Sequence, residues 1–68
     1  MRIDHPLAKS AKFTRVVEGG MVKTIFLVEA TQPLEVGAAS TRELFDAAVT
    51  ALATQRRRPD RIKFLCPT

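Results

Sequence analysis

Histidine and cysteine are the side chains most often used as catalytic bases, nucleophiles and soft metal ligands, and this sequence contains one of each, His5 and Cys66. A general base needs a fixed position and usually an orienting partner. His5 lies before Pro6 in a segment without periodicity, so we expect an exposed side chain without a catalytic role. Cys66 would be a nucleophile only if a base activated its thiol. Its neighbours Leu65 and Pro67 favour a small core thiol.

The other residues capable of chemistry do not combine into a recognisable site. Two soft ligands are too few for a structural zinc site, and a single cysteine cannot form an internal disulfide. Asp4, Asp46 and Asp60 are scattered along the chain. The Gly19-Gly20 pair is followed by a strand pattern, whereas a phosphate-binding loop leads into a helix. We therefore expect a protein that is not an enzyme, without catalytic residues, metal or cofactor.

A group of basic residues near the C-terminus is the positive functional signal. We call it the basic cluster: Arg56, Arg57, Arg58, Arg61 and Lys63. The whole chain carries a net charge of +4. Arginine side chains fit carboxylates and phosphates, so the cluster suits an acidic protein surface or nucleic acid. A solvated helix end that keeps a small protein soluble explains it equally well.

Nucleic-acid binding lacks further support in the sequence. Trp and Tyr are absent, and the four Phe fall at positions that look like core, whereas single-strand binders usually stack bases on exposed rings. There is no helix-turn-helix, zinc-finger or RNP-type pattern. Any binding to RNA or DNA would be mostly electrostatic and weakly sequence-specific.

A β-hairpin is the strongest local prediction. Residues 11–18 and 21–31 both read as strands. Between them, Gly19-Gly20 allows positive φ at both central positions of a two-residue turn. The second strand is apolar on both faces around Ile25–Val28, which is typical of a central strand covered on both sides.

A helix and a final strand follow the hairpin. Ser40 and Glu43 match a capping box, and the helix is predicted to run to about Arg57 before Pro59 stops it. Its apolar stripe comprises Leu44, Phe45, Ala48, Val49 and Leu52. Residues 61–66 read as the last strand.

These elements predict an α+β fold, a small β-β-α-β two-layer domain with a three-stranded, mainly antiparallel sheet and one helix on one face. The last strand should return parallel to the second. Strand order 1-2-3 is favoured, and 2-1-3 is almost as good. Residues 1–10 would form an N-terminal arm and residues 11–68 the domain. The element order resembles that of double-stranded-RNA-binding-like folds, small antitoxins and phage-encoded inhibitors, as a resemblance of topology alone.

One helix covers only one face of the sheet, so the second apolar face needs a partner. It would present Ile25, Leu27 and Leu65, or Phe26 and Val28 in the opposite register. Alternatively the arm folds back over this face with Ile3 and Leu7.

The sequence thus predicts a non-catalytic protein-binding module, a small regulator, inhibitor or adaptor. It would use the sheet face or edge and the basic cluster on another chain or in a homodimer. The alternatives are a nucleic-acid-binding accessory protein and a structural subunit of a larger assembly. The longest apolar run has four residues and the N-terminus lacks a signal-peptide core, so we expect a cytoplasmic protein without a membrane span.

Overall fold

The chain folds in the predicted order β-β-α-β. The structure is a computed structural model that describes residues 2–67. It contains β1 (Ala8–Glu18), β2 (Met21–Ala30), α1 (Ala39–Thr54) and β3 (Arg61–Leu65). The strands lie in the order β1-β2-β3, with β2 antiparallel to β1 and parallel to β3. This confirms the α+β class and order 1-2-3, and it excludes order 2-1-3.

The hairpin turn forms as the sequence predicts. Gly19 and Gly20 have φ angles of 58° and 77°, and Glu18 pairs with Met21 on either side of them. Positive φ at both central positions matches the right-handed twist of the flanking strands. The turn fixes the register in which Phe13 faces Phe26.

The core lies between the sheet and α1. Phe26 and Val28 on β2 and Leu44 and Ala48 on α1 are all fully buried. Alternation along β2 sends these two side chains to the helix side, where partly buried residues of β1 and β3 flank them. The core cluster consists of Ile3, Ala11, Phe26, Val28, Ala30, Leu44, Ala48 and Leu52.

The N-terminal residues belong to the domain rather than to a separate arm. β1 begins at Ala8, so the predicted boundary at residue 10 falls inside a strand. Ile3 is 6% exposed and packs in the core. The segment lies beside α1, where Arg2 and Asp4 border a small cleft with Ala51. The alternative in which this segment covers the opposite sheet face is therefore also wrong.

The predicted capping box is not formed. The N-cap is Ala38, which makes no side-chain cap hydrogen bond, and Ser40 lies inside the first turn. Thr41 Oγ1 instead donates to the carbonyl oxygen of Glu35, at 2.7 Å. Gly37, with a φ of 86°, turns the chain into the helix earlier than the capping pattern implies.

The helix ends at Thr54, before the predicted end at Arg57. The Arg56 N–H donates to the Ala53 carbonyl and the Arg57 N–H to the Leu52 carbonyl, both at 3.1 Å. These two bonds form a Schellman motif, whose left-handed position is usually glycine. Here Arg56 occupies it with a φ of 53°.

Glycine at this position is expected to stabilise the protein. Arg56→Gly should raise the free energy of unfolding by about 0.5 to 1 kcal/mol, because the relief of left-handed strain exceeds the added entropy of the unfolded chain. Arg58→Gly is the matched control, since Arg58 has no positive φ, and it should be neutral or destabilising. Urea denaturation of both variants measures the difference. A loss of stability in Arg56→Gly would show that the arginine side chain outweighs the strain.

Candidate functional site

An open groove of about 1020 Å³ lies between α1 and β3. Its apolar lining includes Phe45, Val49 and Ile62. Arg56 and Arg58 border it where the helix ends and the chain turns into β3. An apolar surface bordered by arginines can bury apolar side chains while it pairs with negative charge.

The apolar surface exists because the sheet leaves two residues of the helix stripe partly uncovered. Phe45 and Val49 are 45% and 43% exposed, whereas Leu44 and Ala48, one position earlier, are fully buried. The Phe45 ring lies 6.5 Å from the Phe64 ring on β3, centroid to centroid. The prediction that the whole helix stripe is core is therefore wrong for Phe45 and Val49. The breadth of the five-residue stripe was the signal that a three-stranded sheet would leave one side open.

The three consecutive arginines do not act alike. The Arg57 guanidinium carbon lies 3.6 Å from the centroid of the Phe13 ring, a cation–π contact. Arg57 therefore covers the end of the core. All three are exposed and form no ion pair within residues 2–67, but among the described residues Arg56 and Arg58 make no such ring contact. These two are the arginines available to a ligand.

Arg61 and Lys63 extend from β3 on the face away from the helix. Arg61 Nη1 donates to Glu18 Oε1 at 2.8 Å. The bond joins β3 to β1 across β2, and this hydrogen bond from Arg61 lowers the pKa of Glu18. Lys63 is exposed and forms no ion pair in the described part of the chain. All four arginines of the basic cluster thus line the groove, but Arg57 is engaged by Phe13 and Arg61 by Glu18, and Lys63 lies outside it.

Among the residues that the structure describes, Asp60 is the one acidic residue lining the groove, and its side chain is already engaged. Asp60 Oδ2 accepts from the Thr24 N–H, and the Asp60 N–H donates to the Thr24 carbonyl, both at 2.7 Å. This pair of bonds fixes the start of β3 against β2. One carboxylate oxygen of Asp60 is therefore engaged by the sheet, and the groove border remains basic because four arginines line it.

The far face of the sheet is less apolar than predicted. Ile25 is only 2% exposed, so the prediction that it contacts a partner from this face is wrong. It lies between Thr14 and Arg61 on the flanking strands, and long charged side chains cover apolar surface with their stems. Leu27 is half-buried and Leu65 is 41% exposed at the sheet edge. The opposite register, with Phe26 and Val28 on this face, is excluded.

His5 and Cys66 differ from their predicted environments. The His5 side chain is 15% exposed rather than free. Its Nδ1 accepts from the Leu7 N–H at 3.1 Å, and its Nε2 lies 3.9 Å from Glu43. Cys66 is exposed instead of forming part of the core. Within residues 2–67 no group of His, Cys, Asp and Glu could hold a metal ion, and no helix is long and apolar enough to cross a membrane.

The chain matches no protein-family model, no curated protein and no solved structure.

Proposed function

We propose that this protein is a non-catalytic protein-binding module, a regulator, inhibitor or adaptor, that binds an acidic and partly apolar segment of another protein in the groove. The observation that carries the proposal is that an apolar surface and unpaired arginine side chains lie next to each other in the groove. Phe45 and Val49 are half-exposed beside Arg56 and Arg58, which have no ion-pair partner in the described chain. Such a combination favours a partner with both aliphatic and carboxylate side chains.

Self-association receives less support than a different partner. Both edge strands of the sheet carry basic side chains, including Lys9 and Lys12 on β1 and Lys63 on β3. Lysine on an edge strand opposes pairing with another copy of the same edge. An acidic partner turns the same charges into attraction.

Nucleic acid is the second candidate target. Arg56 and Arg58 would bind phosphates as readily as carboxylates, and Phe45 is a half-exposed ring on which a base could stack. The aliphatic part of the groove gives the protein ligand the advantage. The proposed compartment is the cytoplasm, where an exposed thiol such as that of Cys66 stays reduced.

Selection of random peptides on the immobilised protein tests the proposal. We expect enriched peptides to combine Asp or Glu with aliphatic residues. Their affinity should fall about tenfold in the double variant Arg56→Asn, Arg58→Gln, because two charge pairs are lost. Asparagine tolerates the left-handed conformation of Arg56. Arg57 is left in place because it covers Phe13.

The double variant Lys9→Gln, Lys12→Gln is the matched control, since it removes the same charge from the opposite edge of the sheet. It should bind the selected peptides within about twofold of the native protein. The absence of enriched peptides, or an equal loss of affinity in both variants, would contradict the proposal. Titration with generic RNA and DNA at two salt concentrations tests the second candidate, and tighter binding there than to any selected peptide would favour it.

A further inference from the structure

We infer that the partner segment binds as an extended strand along the free edge of β3, and that its side chains alternate between apolar and acidic. The inference rests on the proposed function and specifies how the groove is filled. Three independent features of β3 and α1 lead to it: an unpaired strand edge, a half-exposed apolar side of the helix and a basic opposite face.

The first feature is the edge itself. Within residues 2–67, β3 pairs only with β2, so alternate N–H and C=O groups of residues 61–65 point away from the sheet. Such an edge is a template for one more strand, and strand addition is a recurring way to bind extended peptides. At five residues, β3 offers enough backbone for a short segment.

The second feature is the position of the helix. Phe45 and Val49 lie on the β3 side of α1 and are about half-exposed. The other side of the helix is occupied by the N-terminal segment that carries Ile3. An added strand would lie about 4.8 Å beyond β3, beneath the uncovered helix side. Every second side chain of that strand would then point toward Phe45 and Val49. These alternate side chains would have to be apolar.

The third feature is the charge on the opposite face. Arg61 and Lys63 extend away from the helix, and they would lie beside the remaining side chains of the added strand. Oppositely charged neighbours on adjacent strands stabilise a sheet, whereas like charges destabilise it. Acidic residues at these alternate positions therefore complete the pattern, with Arg56 and Arg58 adding attraction near one end of the groove.

A second copy of this chain does not fit this edge. Antiparallel pairing of β3 with β3 would place the Lys63 side chains of the two copies opposite each other. The longer edge strand β1 carries Lys9, Lys12 and Arg15, which would bring further positive charge to Arg61 and Lys63. The strand must come from a different, acidic chain.

A cyclised β-hairpin peptide with one strand of alternating glutamate and valine is the probe, because preorganisation removes most of the cost of ordering a strand. A second hairpin of the same composition has its glutamates and valines in separate blocks. We expect the alternating hairpin to bind at least tenfold tighter than the block hairpin, since only alternation separates the two side-chain types between the faces. Fluorescence anisotropy of labelled hairpins measures both affinities.

Charge reversal at the edge locates the binding. Lys63→Glu should weaken binding of the alternating hairpin about tenfold, because attraction becomes repulsion. Lys12→Glu makes the same change on the same face at the opposite edge, and it should change binding less than twofold. Equal binding of the two hairpins, a larger effect of Lys12→Glu, or no binding of the alternating hairpin would overturn the inference. If the peptides from the random selection still depend on Arg56 and Arg58, the proposed function survives that failure.

Discussion

Phe26→Ala is expected to lower the free energy of unfolding by about 3 to 5 kcal/mol. Phe26 is fully buried on the central strand, and its ring lies 4.9 Å from that of Phe13, centroid to centroid. Alanine would lose the burial of the ring and leave a cavity that close-packed neighbours cannot fill. A 68-residue domain has a total stability of roughly 3 to 10 kcal/mol, so much of the variant should be unfolded in water.

Phe45→Ala is the matched control because it removes the same ring from the groove. Phe45 is 45% exposed, so its loss should cost less than about 1.5 kcal/mol and leave the fold intact. Urea denaturation followed by circular dichroism measures both variants. Similar losses at Phe26 and Phe45 would mean that the Phe45 side of the helix is buried in the free protein, and the groove would not exist.

Ile3→Ala is expected to cost about 2 to 4 kcal/mol, a large effect for a residue so close to the N-terminus. The reason is that Ile3 is 6% exposed and packs with Leu44, Ala48 and the rest of the core beneath the helix. The backbone is held as well, since the Thr31 N–H donates to the Leu7 carbonyl at 2.9 Å.

Val36→Ala provides the comparison for Ile3→Ala. Val36 is fully exposed in the connection before the helix, and its truncation should change stability by no more than about 0.5 kcal/mol. Thermal and urea denaturation distinguish the two variants. If Ile3→Ala behaved like Val36→Ala, the N-terminal segment would be a loosely attached arm, and the domain would begin at β1.

Short-range patterns were sufficient to predict the framework of the fold. Gly19-Gly20 specifies a two-residue turn by conformational freedom alone, and the turn then sets the register of both strands. The apolarity of β2 on both faces correctly placed it at the centre of the sheet. Its far-face residue Ile25 is nevertheless covered within the monomer, because neighbouring strands contribute long side chains as well as hydrogen bonds.

The features that were missed depend on contacts distant in sequence. Nothing near Ile3 indicates that it packs beneath the helix, and nothing near Arg61 indicates its bond to Glu18 across the sheet. The predicted end of the helix is wrong because the sequence signal of a Schellman motif is usually a glycine, and Arg56 occupies that position here. The breadth of the helix stripe indicates that one of its sides is left open, but which side that is depends on how the helix packs beside β3, a contact distant in sequence.

The disposition of charge separates the two edges of the sheet. On β1, Lys9 Nζ lies 3.4 Å from Glu29 Oε2 of β2, so this edge charge is already paired. On β3, Lys63 is exposed beside an apolar groove. Basic residues on both edge strands oppose pairing with another copy of this chain. At β3 they lie beside the apolar groove, which an acidic strand with apolar side chains can use.

Backbone amide hydrogen exchange of β3, measured by NMR with and without the alternating hairpin, tests the central claim most directly. The account predicts that exchange slows at alternate amides of residues 61–65, where a new strand accepts their hydrogen bonds, and stays unchanged along β1. Protection that appears on β1, or binding that leaves every β3 amide unprotected, would contradict it.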